Sequence, residues 1–210
     1  MKSVVEESSA LKKFGGIVSM KESGTKIKLA EALKSLMMTI PFDKITIEML
    51  TGRAHLNRNT FYYHFDDIYS LLEWAYKQDL LANIDAYTKI EDWKVAYELI
   101  LDYIEKHRKF CLNTFHSVAR DLLESFLYSV ASDLVGKVIK RSNRKVSIKL
   151  TEAIQNFYGW ALVMQVVQWL AGNLKEPKEA VISRAAIMLT GGIDNAIRNG
   201  QQMHRFGQTK

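Results

Sequence analysis

The chain has almost nothing from which to build a covalently stapled or metal-held fold. Its 210 residues include one cysteine, Cys111, so neither an intrachain disulfide nor a multi-cysteine zinc site can form. Only two prolines interrupt it, Pro41 and Pro177, which leaves long stretches free to be helical. Long hydrophobic runs are missing as well. The most apolar window, Phe157 to Leu170, is roughly 14 residues long and contains Gln165 and Gln168, where a bilayer span needs about 20. The start, MKSVVEESSA, carries acidic residues and no apolar core segment, so no secretory signal is expected. There is no glycine-rich phosphate loop, no alternating strand pattern, no repeat and no Gly/Ser linker. A soluble cytoplasmic protein without membrane association is the expectation.

Catalytic and metal chemistry are equally thin. His55, His64, His107 and His116 form no i,i+4 pair and have no carboxylate at metal-site spacing. Cys111 and His116 are five apart, which does not place them on one helical face, and Cys111 reads as a buried small hydrophobe. No metal, no cofactor and no enzymatic activity are expected.

What remains is helical patterning and a mild basic excess. The net charge is +6. Up to Phe65 ten Lys and Arg stand against six Asp and Glu, so most of the excess sits in the first third. Residues 1–25 read as a flexible basic leader. Ile27, Ala30, Leu33 and Met37 then recur at helical spacing until Pro41 stops them. Thr46 is placed to cap a second helix carrying Ile47, Leu50 and Ala54. His55-Leu56 makes a turn, and Asn57 caps a third helix ending near His64. Asp66 or Asp67 opens a fourth, with Leu71, Leu72, Ala75 and Tyr76 on its inner face.

Asp92 is expected to cap a helix from Trp93 to His107, followed by a short one to Phe115. A long helix to Arg141 comes next, with Leu122, Phe126, Val130, Leu134 and Val138 as its stripe. Another spans about Ser147 to Asn173. Pro177, just inside its start, opens the last, which ends near Gly200 with Gly191-Gly192 inside it. The fold class is all-α. A three-helix head over 26–66 joins a larger helical bundle over 67–200, and 201–210 is a flexible tail.

The third helix reads Asn57-Arg58-Asn59-Thr60-Phe61-Tyr62-Tyr63-His64-Phe65. It is too short and polar for a core element. A cation, amides, a hydroxyl and two tyrosines on two turns suit phosphates and base edges in a DNA major groove. The plain alternative is a solvated helix closing a small bundle.

The order and spacing of Phe42-x-x-Ile45-Thr46, a short helix, Thr60-Phe61-Tyr62-Tyr63-His64-Phe65 and an acidic start to the fourth helix resemble the TetR family of bacterial transcription regulators. Phe157-Tyr158-Gly159-Trp160, Gln168-Trp169-Leu170 and Glu176-Pro177 look like a Gram-positive branch that includes regulators of dihydroxyacetone utilisation. The resemblance implies a helix-turn-helix head on a body for ligand binding and dimerisation. It places Thr46 on a backbone phosphate, and Arg58, Asn59, Thr60 and Tyr63 at the groove. It places Tyr62 and His64 on phosphates and Phe61 and Phe65 in the core. Lys44 and Arg53 are further phosphate candidates or a solvated face.

Three departures stand out. His55 occupies the turn position usual for glycine, a left-handed backbone that costs about 1 kcal/mol or more. Gly52 sits inside the second helix at a cost of about 1 kcal/mol. Ile68 replaces the family's common lysine, behind Asp66-Asp67.

In the body, Tyr97, Phe115, His116, Phe126, Tyr158, Gln165 and Trp169 read either as aromatic core or as an apolar pocket with polar anchors. Trp160, Met164, Ala185, Met188, Leu189, Gly192 and Ala196 form the expected dimer surface, because more apolar area is present than one body can cover. The expected function is a homodimeric regulator on a palindromic double-stranded DNA operator, controlled by a small-molecule effector. The alternative is a body that binds a partner protein; a helical enzyme with a vestigial head is the third reading. Repressor and activator are both open.

Overall fold

Four of the helices start where a short polar side chain satisfies a free backbone N–H group. A computed structural model describes residues 20–82, 93–142 and 144–207. Among these the elements are α1 (Met20–Met37), a 3-10 turn (Phe42–Lys44), α2 (Ile47–Ala54), α3 (Arg58–His64), α4 (Ile68–Ala82), α5 (Trp93–Lys106), α6 (Arg108–Phe115), α7 (Arg120–Arg141), α8 (Ile148–Ala171), α9 (Lys178–Leu189) and α10 (Gly192–Gly207). No strand occurs among the described residues.

Thr46 Oγ1 accepts the Met49 N–H at 3.2 Å and starts α2. Asn57 Oδ1 accepts the Thr60 N–H at 2.7 Å and starts α3. Asp67 Oδ1 accepts the Ser70 N–H at 2.7 Å, and Ser70 Oγ accepts the Asp67 N–H at 3.3 Å, a reciprocal cap on α4. Ser147 Oγ caps α8 by accepting the Leu150 N–H at 3.3 Å. The other expected cap, Asp92, lies outside the described residues.

The head packs α1, α2 and α3 around Leu29, Leu33, Leu50 and Phe61, all fully buried. α4 serves both halves. Leu71 and Leu72 are buried in the same continuous core as Tyr76, Leu101, Cys111 and Val181 of the body. α7 and α8 pack closely at Gly159, where an added Cβ would lie 3.2 Å from the Tyr128 ring and 3.6 Å from the Ser132 backbone.

Several expectations are corrected. α1 begins at Met20, inside the expected leader; the preceding residues lie outside those described. Ile27 is 38 % exposed, and Leu29 takes its place in the core with Ala30 and Leu33. On α7 the buried row is Leu123, Leu127, Val130, Ala131, Leu134 and Val135. Leu122, Phe126 and Val138 sit half-buried at its edge. The close approach of α8 over Tyr128 and Ser132 turns that face inward. Pro177 is not inside the helix but is the residue before α9, with φ −59° and ψ 137°, extended rather than helical. The single last helix is two: Gly191 adopts φ 74° and breaks the chain between α9 and α10, a conformation that suits glycine. α10 then runs on to Gly207, past the expected end.

Candidate nucleic-acid interface

α2 ends in a left-handed residue. His55 has φ 54° and ψ 45°. The Leu56 N–H reaches the Thr51 carbonyl at 2.9 Å and the His55 N–H reaches Gly52 at 3.3 Å, the paired closure of a Schellman turn. The turn therefore keeps the geometry that glycine would supply, and α3 leaves it at a fixed angle.

α3 is fixed to the head by its aromatic residues. Phe61 is fully buried. Its ring lies 6.0 Å from Phe65, and Phe65 lies 6.0 Å from Trp74 of α4. The outward side carries the predicted contact residues. Arg58 and Asn59 are exposed, Tyr62 is 45 % exposed and Tyr63 74 %. Arg58 Nη2 donates to Tyr62 Oη at 3.2 Å, and its guanidinium stands 5.6 Å from that ring. This i,i+4 pairing holds a planar cation on the surface. His64 is half-buried, edge-on to Tyr63 at 4.9 Å.

Two hydroxyls behave differently. Thr60 Oγ1 donates inward to Asn57 Oδ1 at 2.9 Å, so in this state its hydrogen is engaged in the cap. Thr46 is exposed and only accepts, from Met49, which leaves its O–H free to donate to an anion. Lys44 is exposed in the 3-10 turn. Arg53 Nη2 is tied to Ser35 Oγ at 2.6 Å. The exposed set thus combines cations, an amide and phenols around one short helix, the mixture that phosphate and base-edge contacts require.

Residues 91–191 match the TetR C-terminal family model described as transcriptional regulator C-terminal region. Over 129 residues the chain is 26 % identical to the HTH-type dhaKLM operon transcriptional activator DhaS of Lactococcus lactis subsp. lactis (strain IL1403), covering 61 % of this chain and 68 % of that protein. The body of the chain thus resembles the C-terminal region of TetR transcription regulators. A solved structure, the dihydroxyacetone kinase operon activator DhaS, shares the fold with a TM-score of 0.62 at 23 % identity, covering 81 % of this chain and 96 % of that one.

In the body, most of the expected pocket residues pack on or bond to partners of their own chain. Tyr97 is buried and donates to the Leu162 carbonyl at 3.3 Å. Trp169 is buried and donates to the Glu176 carbonyl at 2.7 Å. Gln165 accepts from Arg184 at 3.0 Å, and Arg184 also pairs with Glu176. Phe115 is core and His116 is exposed beside it. Phe126 packs 5.1 Å from Tyr76. Tyr158 lies against Gly192, where an added Cβ would be 2.9 Å from its hydroxyl. Among the described residues, an apolar cavity of about 20 Å³ is lined by Trp93, Leu134, Val135, Val138, Leu162, Leu189 and Ile193. A wider surface groove of about 500 Å³ is lined by Lys145, Ser147, Leu150, Arg198 and residues 200–202. None of the seven expected pocket residues lines either one.

The expected dimer residues divide. Trp160, Met164 and Met188 are exposed, at 41, 46 and 73 %. Leu189, Gly192 and Ala196 are half-buried. Ala185 is corrected: it is 4 % exposed, packed inside its own chain, because the small side chain lets α9 seat against its neighbours. Phe157, which opens the apolar run to Leu170, is exposed at 72 % and continues the three- and four-residue steps to Trp160 and Met164. Sequence reasoning missed Ile187 for this face, exposed at 73 %. It also missed Asn113, whose amide bonds to the head backbone and for which the sequence carries no local sign.

Proposed function

We propose that the chain is a homodimeric regulator that reads a palindromic operator, with α3 of each head in a major groove. The observation that carries this reading is the outward face of α3: Arg58, Asn59, Tyr62 and Tyr63 stand exposed on a helix anchored by fully buried Phe61. Arg58 reaches guanine edges, Thr46 and Lys44 grip the backbone on either side, and Thr60 keeps the helix start in place. Exposed Phe157, Trp160 and Met164 on α8, with Ile187 and Met188 on α9, supply an apolar face for a second copy. Two heads about one helical turn apart then meet two half-sites. Such a protein works in the cytoplasm, where the DNA is.

A second reading concerns control. Tyr97, Gln165 and Trp169 spend their polar atoms on neighbouring groups of the body, which favours a partner protein over a small molecule as the effector. The promoter of dihydroxyacetone kinase genes is the first duplex to test, given the names of the two similar proteins.

Selection of bound duplexes from a random pool tests the main reading. It should return a palindrome whose affinity falls steeply with salt. Changing Arg58 and Tyr62 together to alanine should weaken specific binding by about 100-fold, since a good bidentate base contact is worth about 1–3 kcal/mol and a phosphate contact adds to it. Undiminished binding by the folded double variant rules out α3 as the reading helix.

A further inference from the structure

One side chain of the body is joined to the head by main-chain bonds alone. Asn113, on α6, donates from Nδ2 to the Met37 carbonyl at 2.8 Å and to the Ile40 carbonyl at 2.7 Å. Its Oδ1 accepts the Phe42 N–H at 2.7 Å. These three groups lie at the end of α1, in the connector and at the start of the 3-10 turn. The Met37 carbonyl is one that a helix end leaves without an intrahelical donor. The amide is the side chain whose two donors and one acceptor match this set at this reach. A second bond runs the other way: Asp43 Oδ1 accepts the Val118 N–H at 3.2 Å, just past α6. α6 and the turn after it therefore bracket residues 37–43, from which α2 and then α3 follow.

The other face of α6 is fixed to α4. Tyr76 Oη donates to Thr114 Oγ1 at 2.9 Å, and the Tyr76 ring lies 4.9 Å from Phe110. One further polar link joins head to body: Lys34 of α1 bonds Asp79 of α4 at 2.5 Å, and Asp79 also accepts from Tyr103 of α5. Lysine ends in a point charge on a flexible stem and tethers without fixing an angle. Apolar packing is non-directional. The planar amide of Asn113, with three short bonds to main chain, sets both position and angle.

We propose that Asn113 is the positioning residue that sets the orientation of the head on the body, and through it the half-site separation that the dimer accepts. It touches no DNA. Its role rests on the operator reading above, because spacing has meaning only for a dimer on two half-sites. A shift of α6 inside the body is passed to α2 and α3 through these backbone bonds.

The test uses the full-length chain and duplexes carrying two selected half-sites whose separation changes by single base pairs, with a single half-site duplex as control. Wild type should favour one separation by about tenfold, within the range of ordinary coupling between sites. Asn113→Ala should flatten that preference to about twofold while leaving single half-site affinity unchanged, since coupling and not contact is lost. Asn113→Ser keeps a hydroxyl of shorter reach that can donate to one carbonyl, and should fall between; it carries the test if the alanine variant does not fold. An unchanged spacing preference in a folded variant overturns the proposal. So does an equal loss on the single half-site, which would make Asn113 a support for α2 and α3 only, and so does failure of both variants to fold. If wild type binds no duplex, the operator reading fails and this proposal falls with it; a wild type with one preferred separation and an indifferent Asn113→Ala sinks the positioning role alone.

Discussion

Cys111 is fully buried, and burial pushes its thiol up to about 12, with the neighbouring Tyr76 hydroxyl as a smaller opposing influence. Burial likewise holds Tyr76, Tyr97 and Tyr103 above the usual phenol range. In each case the folded chain keeps a proton that the unfolded chain gives up. The stabilisation from Cys111 is therefore complete below about pH 8.5, the unfolded value, and is lost as pH rises toward the folded value of about 12. Urea unfolding should show stability falling above pH 9. Cys111→Ala should remove roughly 1 kcal/mol of the fall between pH 9 and pH 10 and leave the steeper tyrosine-driven part above it. Native protein at pH 8 should resist thiol reagents until it unfolds; fast labelling would mean that Cys111 is not enclosed. His55 teaches a related point. Its position in the sequence signals a left-handed turn without glycine, and the φ of 54° is what the chain adopts.

At the scale of elements, legibility follows the range of the cause. α2, α3 and α4 start at Thr46, Asn57 and Asp67, whose partners lie three residues ahead, so a local reading of the head finds them. Arg58 and Tyr62 pair across one helical turn and are legible for the same reason. The bonds of Asn113 span 71, 73 and 76 residues, and nothing near it in sequence points to the head. The inner face of α7 was set by α8, not by its own pattern, and the polar tips of Tyr97 and Trp169 went to carbonyls that only the packed body brings close. Gly159 makes this testable. An alanine there gains helix propensity but meets the Tyr128 ring at 3.2 Å, and should be mildly destabilising. Tyr128 has little room to move, since it stacks on Trp160 at 4.6 Å. Gly159→Val adds bulk that must part α7 from α8, and should cost about 1–3 kcal/mol in chemical denaturation. A valine variant as stable as wild type would mean the two helices do not approach as closely as described.

For the molecule as a whole, the two surfaces must cooperate across a distance. Val118 bonds to the head, and α7 runs from Arg120 through 22 residues, about 33 Å away from it at 1.5 Å per residue. α8 turns back along α7, so the exposed face of Phe157, Trp160 and Met164 lies along the side of the body and leaves the α3 faces free. A two-fold pair built on that face fixes the separation of the heads through the stiffness of α7, α8 and the α6 junction. Burying such a face also stabilises each copy by mass action. The direct test changes Phe157 and Met164 together to glutamate. Wild type should sediment at twice the 24.1 kDa chain mass. The double variant should sediment as the single chain, keep its helical signal, melt at a lower temperature, and bind a palindrome no better than a single half-site. A variant that still sediments as a pair would move the interface elsewhere, and a wild type that stays single at micromolar concentration would remove the dimer on which the operator reading depends.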